Sequence, residues 1–251
     1  MRPPGFNHQA MKILKLIRRY KFASIRMMYE LAFKDTVRVP VNGKIFYQHV
    51  DRSTLYHIIH SYPKVQALVD ALPNLFGPII DGGANNGLFS FMMEQRFKFI
   101  APIAIEPNPI LKPFVLKNNT GLFRSFALSD KCGEGKFYFD TTSDQTGSLT
   151  KSNIDGHSIS AETSIKTLDF LCSSFARISV LKLDLQGGEL AALKGATEIL
   201  KKTDYLIMEV YTKAPGALEA AALALQTFPY WKAINSVPYG ADILFSKTPL
   251  L

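Results

Sequence analysis

Residues 77–87 read Gly77-Pro-Ile-Ile-Asp81-Gly-Gly-Ala-Asn-Asn-Gly87, and the stretch that follows, 88–93, is apolar. A short β-branched run, an acid, a glycine-rich turn and an apolar helix make a strand–turn–helix unit. The alternation continues down the chain. Residues 102–106 predict a second strand, 110–118 a second helix and 122–128 a third strand. An added strand is expected at 135–140, after the Cys132-Gly133 turn, and 141–163, rich in Ser, Thr, Asp and Gly, reads as a loop. Thr167-Leu-Asp169 opens a short helix. Strands at 178–184 and 205–210 alternate with helices at 189–201 and 214–226. Residues 230–237 and 241–247 close the chain as a pair joined at Pro238-Tyr-Gly240. Strands alternating with helices imply right-handed βαβ units and a parallel sheet. A turn of a few residues joins only antiparallel neighbours. The expected fold is therefore α/β: a Rossmann-like, doubly wound, mostly parallel sheet with a terminal antiparallel strand.

Ligands of such sheets bind at the carboxyl ends of the strands, at the switch point. Asp81, Glu106, Asp184 and Glu209 each end a predicted strand, so four carboxylates are expected around one crevice. The glycine loop admits two ligands. Gly82, Ala84 and Gly87 give G-x-A-x-x-G, a weak dinucleotide fingerprint, with Glu106 at a plausible ribose distance. Asp81, Gly83 and Gly87 give D-x-G-x-x-x-G, which resembles the first motif of class I methyltransferases that use S-adenosylmethionine (SAM). Charge separates the two. A pyrophosphate is anionic and would be repelled by Asp81, whereas SAM carries a sulfonium and an ammonium that favour a carboxylate in a poorly solvated cleft.

The later segments add to this. Glu106-Pro-Asn-Pro109, Ala127-Leu-Ser-Asp130, Thr167-Leu-Asp169 and Lys182-Leu-Asp-Leu-Gln-Gly-Gly-Glu189, running on to Ala196, follow the loop in order. Together they resemble the FkbM family of methyltransferases over about residues 75–250. Departures are Gly82, where a Val is common, and Gln186, where a Glu is common. The resemblance implies methyl transfer from SAM to an oxygen, usually a hydroxyl of a saccharide or secondary metabolite. It implies that Asp81, Gly83 and Asn85 line the methionine end, and that Glu106 takes the ribose hydroxyls. Ala127 and Leu128 would face the adenine, with Asp130 either accepting from adenine or capping the following turn. Asp184 would lie under the methyl, as a polar catalytic or positioning group and part of the cofactor site. Glu209 faces the acceptor side as a candidate base. No compact His/Asp cluster suggests a metal. His57 and His60 share a helix face before the glycine loop, and Tyr211 and Trp231 either stack on a sugar or pack in the core. The rivals are an NAD-type oxidoreductase on a similar sheet and a catalytically silent protein that docks on membranes.

Composition bounds the rest. Hydrophobic residues make up 47% and charged residues 20% of the 251, which excludes wholesale disorder. The net charge is +8, but residues 1–34 hold eight basic side chains against one acid, Glu30. The remainder is close to neutral, which argues against a nucleic-acid enzyme with a broad basic face. Residues 1–34 read as a basic amphipathic helical arm, docked on its own domain or lying on an anionic membrane surface. Residues 35–76 read as a cover segment and 77–251 as the SAM-binding domain. Cys132 and Cys172 are expected as reduced thiols, consistent with a cytoplasmic setting or the inner face of a membrane.

Overall fold

A computed structural model describes residues 23–51, 53–140, 143–151 and 158–250. Seven strands form the central sheet: β3 (Ile79–Gly82), β4 (Ile103–Ile105), β5 (Leu122–Arg124), β10 (Ile178–Leu183), β11 (Thr203–Tyr211), β12 (Tyr230–Val237) and β13 (Gly240–Ser246). Their order is β12-β13-β11-β10-β3-β4-β5. Neighbours from β11 to β5 pair in parallel, while β13 pairs antiparallel with both β11 and β12. One strand, the last in the chain, thus runs against the rest, and it lies one place in from the edge. The chain steps from β3 out to β5 and then returns to β10 on the other side of β3. The switch point therefore falls between β3 and β10.

The strands are buried runs because both faces are covered. One face packs on helices Leu168–Leu171, Glu189–Lys194, Thr197–Lys202 and Ala217–Thr227, through residues such as Leu193, Ile199, Ala220 and Phe228. The other packs on helix Leu88–Arg96 and on the segment before residue 77, through Phe46, Ile58, Leu68, Phe89 and Phe91. Asp169 caps a helix: its carboxylate accepts from the backbone N–H of Glu198 (3.0 Å) and Ile199 (2.8 Å).

Three expectations need correction. The predicted third strand splits at Ser125: Leu122–Arg124 joins the central sheet, but β6 (Ala127–Leu128) pairs with β9 (Ser158–Lys166) in a second sheet. The stretch 141–163 is not all loop, since β7 (Gly133–Asp140) is flanked by β8 (Ser143–Ser148) and β9. Ile159, Ala161, Thr163 and Ile165 alternate with polar residues, a period-2 pattern masked by the Ser-rich composition. Residues 35–76 hold a hairpin that the sequence reading omitted. β1 (Thr36–Val41) and β2 (Lys44–His49) join at Asn42-Gly43, whose φ angles of 48° and 83° suit a type I′ turn.

A helical run follows, Thr54–Tyr56, the π-helical His57–Ser61 and Tyr62–Asp70. The described end of the basic arm, helix Ala23–Phe33, docks on β1 through buried Met27 and Glu30. Arg38 pairs with Glu30 by side chain and by its backbone N–H (2.8 Å). The rest of the predicted arm lies outside the described residues. Among the described residues no helix is long and apolar enough to cross a membrane.

Candidate active site

A cleft of about 760 Å³ opens over the carboxyl ends of β3, β4, β10 and β11. Gly83, Asn85, Glu106, Ala127, Leu128, Asp184 and Glu209 all line it. Asp81 and Asp130 do not. Asp130 is exposed and accepts a 3.2 Å bond from the Ser129 hydroxyl. Asp81 is fully buried beneath the glycine loop, where Ser90 Oγ donates to it at 2.8 Å and Lys182 Nζ lies at 3.1 Å. The sheet register puts Lys182 directly opposite Asp81. The charge argument against a dinucleotide therefore loses its support, because Asp81 is neutralised from within.

Gly83 sets the gap between the two loops. Its φ is +72°, and a Cβ there would lie 1.9 Å from the Asp184 carbonyl oxygen. Only glycine allows β3 and β10 to leave the sheet this close together. Gln186 and Gly187 continue the second loop with φ of 51° and 95°. Glu189 fastens that loop, its carboxylate accepting from the backbone N–H of Leu185 (2.7 Å) and Gly187 (3.0 Å).

Strand alternation carries Lys182, Asp184 and Glu209 toward the face covered by the segment before residue 77. There the register sets Glu209 opposite Asp242, two like charges that would repel. Lys64, from the covering helix, lies between them, with Nζ 3.0 Å from Glu209 Oε1 and 3.1 Å from Asp242 Oδ2. Asn235 Nδ2 donates to Asp242 Oδ2 at 2.9 Å and to the Lys64 carbonyl at 3.1 Å. Gln186 Nε2 reaches Asp184 Oδ1 at 2.9 Å and Glu209 Oε2 at 3.5 Å. Gln186 thus takes a bridging place between two carboxylates that an acid there would have crowded further. The charge on Asp184 and then burial push the Glu209 carboxyl above its usual range, with Lys64 opposing. For Lys64, burial works to lower the pKa, but Asp242, Glu209 and Asp184 outweigh it and hold the amine charged.

Glu106 is 6% exposed, and its oxygens accept from the backbone N–H of Asn85 and of Asn108, both at 2.8 Å. Burial pushes its carboxyl up to about 7, against the pull of those two bonds. A ribose held here, as the resemblance implies, would donate hydrogen bonds and so favour the ionised form. Binding then releases a proton, and affinity falls as pH falls. S-Adenosylhomocysteine (SAH) is expected to bind up to about tenfold more weakly per unit below the Glu106 pKa. Titration calorimetry across that range checks this, with Glu106→Gln losing most of the pH dependence.

The sequence reading missed Lys64, Asp242, Asn235 and the pairing role of Lys182. Period-2 alternation from Val180 could have put Lys182 on the face of Asp184. Nothing local marks Lys64 or Asp242, whose meeting depends on a helix and a strand 178 positions apart in the chain. His57 and His60 line the cleft; His49 instead packs against Phe114, and His157 lies outside the described residues. Tyr211 and Trp231 are 39% and 58% exposed, so neither packs in the core, and neither lines the cleft. Among the described residues no group of three or more His, Cys, Asp or Glu side chains could hold a metal ion.

The model of the methyltransferase FkbM domain matches residues 81–229. A search of curated proteins finds no match. Among solved structures, the T. thermophilus 16S rRNA methyltransferase RsmC, in complex with AdoMet and guanosine, aligns at a TM-score of 0.50 and 13% identity. That alignment covers 86% of this chain and 47% of RsmC, so the chain spans about half of RsmC's length. The apo TDP-rhamnose 3'-O-methyltransferase of calicheamicin biosynthesis also aligns at 0.50, with 10% identity over 98% of this chain and 96% of that one. At these identities the likeness shows the fold alone.

Proposed function

The chain belongs to the FkbM methyltransferase family and is a SAM-dependent methyltransferase, and from that premise we propose that it methylates an oxygen, the hydroxyl of a saccharide or secondary metabolite. The observation that carries this reading is the carboxylate pair at the cleft wall. Asp184 and Glu209 share the Gln186 amide, and the charge on Asp184 raises the proton affinity of Glu209. An alcohol is a poor nucleophile while protonated, and a positioned carboxylate with a raised pKa suits the removal of that proton. An amine acceptor would need no such base once neutral.

The residues fit SAM by the chemistry of the donor set. Glu106 offers a fixed carboxylate for the ribose hydroxyls, Ala127 and Leu128 an apolar wall for adenine, and Gly83 and Asn85 the rim of the methionine end. When bound, SAM supplies a methyl group activated by a sulfonium. Asp184, in the cleft wall, would contribute negative charge toward that cationic centre. Glu209 takes the hydroxyl proton, and Lys64 keeps Glu209 ionised until it does. Positioning of the acceptor by the cleft walls would supply much of the remaining rate enhancement. Two unpaired cysteines, Cys132 and Cys172, support a reducing, cytoplasmic setting.

The test uses SAM labelled in the methyl group, with glycan and metabolite extracts as acceptors and mass analysis of the product. Label on a hydroxyl oxygen is expected. Label confined to nitrogen, carbon or RNA would contradict the proposal.

A further inference from the structure

Helix Ala23–Phe33 is apolar on both sides. Met27 is buried, and with Leu31 it packs into the core that holds Val37 and Val39 of β1. Met28, Tyr29, Ala32 and Phe33 recur at i, i+1, i+4 and i+5, which sets them on the opposite face of the helix. All four are exposed, Met28 by 47%, Tyr29 by 55% and Phe33 by 72%. The Tyr29 and Phe33 rings lie side by side, with centroids 5.3 Å apart. Exposed apolar side chains scattered singly are ordinary, but these form one stripe. A helix that is apolar all round is normally covered.

The charge around the stripe indicates what covers it. Residues 12–26 hold six basic side chains and no acid, and Lys34 follows the helix. Arg26 and Lys34 are exposed. The one acid of residues 1–34, Glu30, is turned inward and held by Arg38. A second copy of the chain would bring the same positive charge to the contact, and the remainder of the chain is close to neutral, so charge gives self-association no support. A nucleic acid would match the basic side chains but leave Met28 and Phe33 in water. An anionic lipid surface answers both features. Its headgroups attract Lys and Arg, and the boundary of its acyl chains takes up apolar side chains. Tyrosine suits that boundary because its ring is apolar while its hydroxyl stays wet.

We propose that the outer face of helix Ala23–Phe33 docks on an anionic membrane, with Met28, Tyr29 and Phe33 inserted where headgroups meet acyl chains. The two settings open to the basic arm, its own domain and a lipid surface, are then held at once by opposite faces of one helix. The inference concerns where the enzyme works and stands apart from the identity of its acceptor.

The test is sedimentation of the full chain with two kinds of vesicle, pure phosphatidylcholine and phosphatidylcholine with about 30% phosphatidylglycerol. The wild type should bind the mixed vesicles at least about tenfold more tightly than the neutral ones, and release them in about 1 M salt. The triple variant Met28→Ser, Tyr29→Ser, Phe33→Ser should lose at least about tenfold in that binding while its urea midpoint stays that of the wild type, since all three side chains are exposed. A second variant reads the face directly. Trp231→Phe removes the chain's one tryptophan, and Phe33→Trp in that background places a new one on the stripe. Its emission should shift to the blue with the mixed vesicles. An unshifted tryptophan on sedimenting protein, or a triple variant that binds as the wild type does, would assign the attraction to charge alone and overturn the proposal. A wild type that sediments with neither vesicle, because it pairs with itself or takes RNA instead, would overturn it as well.

Discussion

Glu209→Gln is expected to lower turnover by about 10²- to 10⁴-fold while leaving SAH affinity within about threefold. The substitution keeps the side chain's shape and an oxygen for Lys64, and Lys64 retains Asp242 at 3.1 Å. What it removes is the ability to take a proton. Asp184→Asn should act differently. It withdraws the charge that raises Glu209, so the Glu209 pKa falls and the acid limb of the kcat profile moves to lower pH. The charges facing Glu209 come from Asp184 and Glu189 beyond β10, Asp242 in β13 and Lys64 in the covering helix. Steady-state kinetics against pH separates these effects. A fully active Glu209→Gln enzyme would mean that the acceptor side lies elsewhere in the cleft.

The second large effect is on stability. Lys182→Met should destabilise the fold by about 3–5 kcal/mol, because it leaves Asp81 as an uncompensated charge in the interior. Asp81 is fully buried, and the remaining partner on its side chain is the Ser90 hydroxyl at 2.8 Å. Against a typical total of about 5–15 kcal/mol, that loss is a large share. Replacing both charges, as Asp81→Asn with Lys182→Met, should restore much of it. Urea unfolding of the single and double variants gives the comparison. A single variant as stable as the wild type would show that the pair carries no such burden.

The central sheet was legible because its strands are short apolar runs closed by an acid or a glycine. Ile79-Ile80-Asp81 and Ile103-Ala104-Ile105-Glu106 carry their own boundaries. Much of the cleft wall came with them, since Gly83, Glu106 and Asp184 line it where those strands end. Less legible were the elements defined by partners far away in the chain. The hairpin at Asn42-Gly43 had a local signal in its turn dipeptide. Strand β9 had only weak alternation, and it becomes a strand by pairing Ile159 with Phe139 and Ala161 with Phe137. The electrostatics were least legible. The sequence shows four acids at strand ends, but not that Lys182 answers Asp81 across a strand pair, nor that Lys64 descends between Glu209 and Asp242. The cleft is therefore less acidic than a count of carboxylates suggests.

A crystal structure of the SAH complex addresses the central claim most directly, because it locates the sulfur atom. The prediction is a ribose held by Glu106 and a sulfur that faces the Asp184–Glu209 wall. A sulfur turned away from that wall, or a ribose bound elsewhere, would contradict the assignment of both halves of the cleft.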